Sequence, residues 1–163
     1  KFTKMPSSTL GHPALLPLRN ALFLGSYGTV ISRALQVNID SSEDDYKQAN
    51  IEKDTLIYRA QIGQQQYDIV LNEVSEESTT HIALRAVRLL AQYFSFSGAA
   101  DREKQEGVIQ ELDALLADAL LATDTTLNVV AATIYLQEKK PTEALRYVFS
   151  PSTLEMYVRF LLF

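Results

Sequence analysis

The chain has 163 residues, a formal charge of −5, no Cys, no Trp, six Gly and five Pro. Zero Cys excludes a disulfide scaffold, a thiolate metal site and a Cys nucleophile. The 47% hydrophobic content is too high for a disordered chain, and the acidic balance argues against gripping nucleic-acid phosphates.

In chain order the apolar residues recur at spacings of three and four, the helical period. Residues 1–12 carry no continuous apolar stretch of the secretory kind and are expected to be a flexible leading segment. Leu15, Leu18, Leu22 and Phe23 predict a first helix, opened by Pro13 or Pro17. Val30, Ile31, Ala34 and Leu35 predict a second, Leu56 and Ala60 a third, and Val70, Leu71 and Val74 a short fourth. A strong fifth runs from Ile82 to Phe94, and a long sixth from Val108 to Leu120. Val129–Leu136 predicts a seventh helix, Ala144–Val148 an eighth, and Thr153–Phe163 begins a ninth. Between them lie polar breaks: an acidic linker at Asp40–Asp45, and candidate N-caps at Thr79 or Thr80, Asp101, Thr123–Thr126 and Ser150–Thr153. The most apolar windows are interrupted by Asp113, Asp118 and Asn128, so no membrane span is expected, while the absence of Cys fits a cytosolic location.

The turns share a phase. Gly25-Ser-Tyr27, Gln65-Gln-Tyr67 and Lys139-Lys-Pro141 each read polar, polar, ring, and a small-large apolar pair follows at Val30-Ile31, Val70-Leu71 and Ala144-Leu145. Tyr27 and Tyr67 lie 40 residues apart, and Pro141 lies 74 beyond Tyr67, or two further periods. Val108-Ile109 sits where the missing pair belongs, with Gln105 at its ring position. The pattern resembles the tetratricopeptide repeat, a helix–turn–helix unit of about 34 residues. Ala132 and Tyr135 match that family's small and aromatic first-helix positions, whereas the first repeat has Leu18 at the small one. The expected fold class is therefore an all-α solenoid of paired antiparallel helices spanning residues 13–163. It would hold about four repeats plus the first helix of a fifth. The apolar segment Met156–Phe163 reads as a first helix awaiting its second, so the array is expected to be incomplete.

No enzyme signal is present. His12 and His81 are isolated, no His pair has metal-ligand spacing, and no phosphate-loop motif occurs. Gly25-Ser-Tyr-Gly28 follows a helix and has no Lys beside it, so it reads as a turn. Glu43-Asp44-Asp45 and Glu76-Glu77 lack the regular spacing of a Ca²⁺ loop and read as solvated. No cofactor or metal is expected.

Binding is the better prospect. First helices of tetratricopeptide pairs line a concave face, and Arg19, Arg59, Arg85 and Arg88 fall in them. Counted from the turn ring, Arg19, Arg59 and Thr133 share one repeat position, and Gln92 joins them if Ala91 is the small residue of repeat three. With Leu22, Phe23 and Arg88 they form a candidate ladder for gripping a partner chain. The competing reading is that these Arg residues only solvate the face or pair with Glu52 and Asp54.

Five blocks taken together resemble the epsilon-subunit family of coatomer. They are Ala21–Tyr27, Asp54–Ala60, Tyr67–Glu73, Leu84–Ala91 and Val130–Leu136, the last followed by Glu143–Arg146. Ser152–Glu155 and Leu161-Leu162 also fit. The resemblance implies a non-enzymatic scaffold subunit of the COPI vesicle coat. Such a subunit binds and stabilises the C-terminal region of the alpha subunit. It acts in Golgi-to-ER retrograde and intra-Golgi transport, cytoplasmic and peripheral on Golgi and vesicle membranes through the coat. Family members continue well beyond this length, so the chain is expected to be an N-terminal portion. The alternative is a generic tetratricopeptide adaptor binding a peptide of a chaperone or other complex. Its carboxylate clamp would use Arg19 and Arg59, but the accompanying Asn positions are not filled.

Overall fold

The computed structural model describes residues 11–39, 46–75, 81–96 and 101–148, and among these the regular elements are all helical. A 3-10 turn at Pro13–Leu15 leads into α1 (Leu16–Phe23), α2 (Tyr27–Ala34), α3 (Tyr46–Gly63) and α4 (Tyr67–Glu73). Then follow α5 (Ile82–Ser95), α6 (Arg102–Ala117), a 3-10 turn at Leu121–Thr123, α7 (Thr125–Gln137) and α8 (Pro141–Val148). Each of the first eight expected segments is a helix, and the fold class is the tetratricopeptide-like all-α solenoid. The leading residues 1–10, the acidic linker, the Thr79/Thr80 and Ser150–Thr153 caps and the ninth helix lie outside the described residues.

The repeat phase has a physical basis. Val30, Val70, Val108 and Ala144, each three positions after the ring position, are all buried. At Val30, Val108 and Ala144 the second helix packs on the first: α2 on α1, α6 on α5 and α8 on α7. The ring residues Tyr27, Tyr67 and Pro141 are the first residues of α2, α4 and α8. Two positions earlier the backbone enters the left-handed region, at Gly25 (φ 71), Gln65 (φ 62) and Lys139 (φ 58). This is how a helix ends when its last carbonyls must be satisfied. Ser26 N–H bonds to Ala21 C=O and Lys140 N–H to Tyr135 C=O, both at 2.9 Å.

The third repeat departs from this form. α6 begins at Arg102, three residues ahead of Gln105, so no turn of that kind precedes its ring position. Gln105 instead donates Nε2 to the carbonyls of Phe96 at 2.5 Å and Tyr93 at 3.4 Å, tying α6 to the end of α5.

The sixth helix starts at Arg102, ahead of its apolar pattern, and ends three residues before the expected Leu120. It stops at Ala117, because the Asp118 carboxylate accepts from Leu120 N–H at 2.9 Å and offers the backbone a turn instead. The helix starts also differ in part. Asp124 caps α7 through Leu127 N–H at 2.9 Å, within the expected Thr123–Thr126 stretch. Asp101 occupies the N-cap position of α6 without capping, since its carboxylate pairs with Lys104 at 2.9 Å. The side-chain cap of α5 is His81, whose Nδ1 accepts from Ala83 N–H at 3.3 Å. His12 does the same for Ala14 N–H at the first 3-10 turn. The two isolated histidines therefore each cap the start of a helical segment.

The chain divides into two compact units, Lys1–Gln64 and Gln65–Phe163. In the first, α1 and α2 form a hairpin that packs on α3 around Leu15, Leu18, Leu22, Val30, Leu56 and Ala60. In the second, α5 is central, packing against α4, α6 and α7, while α7 pairs with α8. The turn rings reach forward within each unit. Tyr27 lies against Gly63 of α3, and Tyr67 stacks on Phe94 of α5 at 6.2 Å between centroids.

Candidate partner-binding site

The seven candidate residues fall on first helices, divided between the units. Arg19, Leu22 and Phe23 stand on α1 and Arg59 on α3, all in the first unit. Arg88 and Gln92 stand on α5 and Thr133 on α7, in the second.

Residues at one repeat position meet different surroundings. Arg19 is held inside its unit. Its Nε donates to Glu52 Oε1 at 2.5 Å and its Nη2 to His12 C=O at 3.1 Å, while Glu52 Oε2 accepts from His12 N–H at 3.3 Å. The guanidinium therefore closes a knot between the chain before α1 and the third helix. Pairing with Glu52 was the competing sequence reading for this residue. Thr133 Oγ1 donates to Val129 C=O at 2.8 Å, a bond within its own helix. Arg59 is half-buried on α3.

Leu22 is 8% exposed and belongs to the first unit's core, whereas Phe23 beside it is exposed. Arg88 reaches back to α4 and donates Nη1 to the carbonyls of Leu71, at 2.9 Å, and Val74. A cation on the last carbonyls of a helix is favourable, because those groups carry the negative end of the helix dipole. Gln92 is half-buried on α5.

The densest polar cluster is one that sequence reasoning missed. Glu138, at the C-terminal cap of α7, has a side chain only 6% exposed. It receives Arg102 Nη1 at 2.8 Å, Arg102 Nη2 at 2.6 Å and the Tyr93 hydroxyl at 2.6 Å. A forked guanidinium on a carboxylate is the strong form of this contact. Hydrogen bonding to Arg102 holds the Glu138 carboxyl down at about 2, and burial, then Glu138, push Tyr93 up to about 12. A second tyrosine, Tyr135, donates to Asp113 of α6 and stacks on Tyr147 of α8 at 5.6 Å. Burial first, then that carboxylate, raise its hydroxyl pKa. The chain separations, 36 residues for Arg102–Glu138 and 45 for Tyr93–Glu138, leave no local signal to find them by.

Among the described residues no group of three His, Cys, Asp or Glu side chains could hold a metal ion. No described helix is long and apolar enough to cross a membrane. What the arrangement offers is surface: helical repeats bearing half-buried polar side chains and isolated exposed apolar ones. The fold and these residues define a tetratricopeptide-like helical-repeat protein.

The model of the family described as coatomer epsilon subunit matches residues 12–160. The chain is 32% identical over 151 residues to coatomer subunit epsilon-1 of Arabidopsis thaliana, covering 93% of this chain and 47% of that protein. It is 33% identical over 144 residues to coatomer subunit epsilon-2 of Oryza sativa subsp. japonica, covering 87% and 45%. It is 30% identical over 134 residues to coatomer subunit epsilon of Dictyostelium discoideum, covering 81% and 42%. The chain belongs to the coatomer epsilon subunit family, and it spans about half the length of the relatives it matches.

Proposed function

We propose that this chain serves as a non-enzymatic structural subunit of the COPI vesicle coat. It binds and stabilises the alpha subunit through that partner's C-terminal region, in Golgi-to-ER retrograde and intra-Golgi transport. It is cytoplasmic and reaches Golgi and vesicle membranes through the coat. The observation that carries this reading is the family match over residues 12–160, on a chain whose described elements are helices in repeat phase. Repeat arrays of this kind present extended surfaces suited to wrapping another chain.

Of the ladder residues, Arg19 is already engaged by Glu52 and Arg88 by the end of α4. Leu22 lies in the first unit's core and Thr133 bonds within its own helix. The generic adaptor reading loses support for the same reason: half of its carboxylate clamp, Arg19, is already bonded to a carboxylate.

The test is a pulldown with the C-terminal part of the alpha subunit, using this chain and a version extended to the relatives' length. Retention of the partner is expected, with Arg59→Glu weakening it about tenfold, the scale of one lost charged contact. Absence of binding by both versions overturns the coat reading. Unchanged binding of Arg59→Glu removes that residue from the ladder.

A further inference from the structure

In the first unit the α1–α2 hairpin has a second face. Leu18 and Leu22 point into the core with α3, whereas Leu16, Asn20 and Leu24, four residues apart, lie on the other side of α1. Together with Ser26, Thr29 and Arg33 of the turn and α2 they line an open groove between the two helices. Leu16 is 53% and Leu24 81% exposed at its ends. Ala21, Ser26 and Thr29 are small, so a backbone can approach closely between them. Arg33 stands at the rim, exposed, with no ion pair among the described residues.

We propose that this groove is a docking site for an amphipathic helix of a partner protein. That helix carries two apolar side chains two turns apart and a carboxylate at one end. Three observations set this chemistry. Leu16 and Leu24 are about 12 Å apart along α1, the rise of eight helical residues, which matches two anchors on one face of a facing helix. The small residues between them form the trough that ridge-into-groove packing needs, as the opposite face of the hairpin already provides for α3. Arg33 complements a negative group at the end away from the turn, because α2 runs back along α1 from Ser26. None of the seven ladder residues lines this groove, so it is distinct from the surface assigned to the alpha subunit.

The probe is a fluorescein-labelled, Ala-rich helical peptide with two Leu seven residues apart and a Glu one turn beyond the second. A twin peptide carries Lys in place of that Glu. Each is titrated against the full chain by anisotropy. The expected result is saturable binding of the Glu peptide, weakened about tenfold or more by Leu24→Asp. Arg33→Glu should reverse the preference to the Lys peptide. Both side chains are exposed, so both variants should melt within about 2 °C of the parent.

Equal binding by parent and variants overturns the proposal. So does a fall of several degrees in the melting midpoint with Leu24→Asp, which would mean the chain's own residues already cover the groove. Conversion of a self-associating parent to a monomer by Leu24→Asp also overturns it, in favour of a second copy as the occupant.

Discussion

Glu138 shows how much one side chain can join. Its carboxylate is bonded to Tyr93 of α5 and to Arg102 at the start of α6, from a position at the end of α7. Three helices therefore share one anion. Replacing Glu138 with Ala leaves a forked cation and a largely buried hydroxyl without their acceptor. Arg102 is half exposed and water can re-solvate it, so the loss is set at about 1–3 kcal/mol in urea unfolding.

The same residue gives a pH dependence. Its folded-state pKa is lowered from 4.5 to about 2 by Arg102. A depressed carboxylate contributes stability that is fully present above its unfolded value and is lost as pH falls through the folded one. Stability of the parent should therefore decline between about pH 5 and pH 2, and Glu138→Gln should flatten that part of the curve. An unaltered profile in Glu138→Gln would assign the acid sensitivity to other carboxylates.

Among the elements, the turns carry the repeat. Three helices end in a left-handed residue, but only Gly25 is free of a Cβ there; Gln65 and Lys139 adopt the same conformation at a cost. Gln65→Gly and Lys139→Gly should each stabilise the chain by up to about 1 kcal/mol, and Gly25→Ala should destabilise it by a similar amount. Thermal unfolding of the three variants checks the sign at each turn.

Gly63 makes the opposite case. A Cβ there would come within 2.5 Å of the Tyr27 ring, so Gly63→Ala should cost about 1–3 kcal/mol despite the better helix propensity of Ala. Pairing it with Tyr27→Leu should recover part of the loss, which a double-mutant cycle measures.

At the scale of the whole chain the exposed apolar side chains matter most. Leu136 of α7 and Leu145 of α8 are 58% and 52% exposed, although Leu71 and Ile109, at the repeat position of Leu145, are half-buried. Large apolar side chains left in water favour association. The isolated chain should self-associate with rising concentration in sedimentation experiments. A double substitution, Leu136→Glu with Leu145→Glu, should shift it toward monomer. A parent that stays monomeric across the accessible range would show that these two residues drive nothing.

The residues by themselves determined the helices and the repeat phase. Burial at positions 30, 70, 108 and 144 follows from a periodic pattern of small side chains, and that pattern is local. The family resemblance was legible for the same reason, since blocks such as Ala21–Tyr27 and Val130–Leu136 are contiguous. Helix ends were less so. Asp101, Asp118 and Asp124 are the same residue type, yet one pairs with a Lys, one breaks a helix and one caps it. Which bond a short carboxylate makes depends on neighbours brought close by packing.

Only the tertiary structure decided the fate of the ladder. Arg19 and Thr133 share a repeat position, but Glu52 happens to face Arg19 from α3, while Thr133 bonds within its own helix. The Tyr93–Arg102–Glu138 and Asp113–Tyr135 contacts were likewise invisible beforehand. Long-range polar pairs have no period. They exist where helix packing places two charges at bonding distance, and that placement is written in no single stretch of chain.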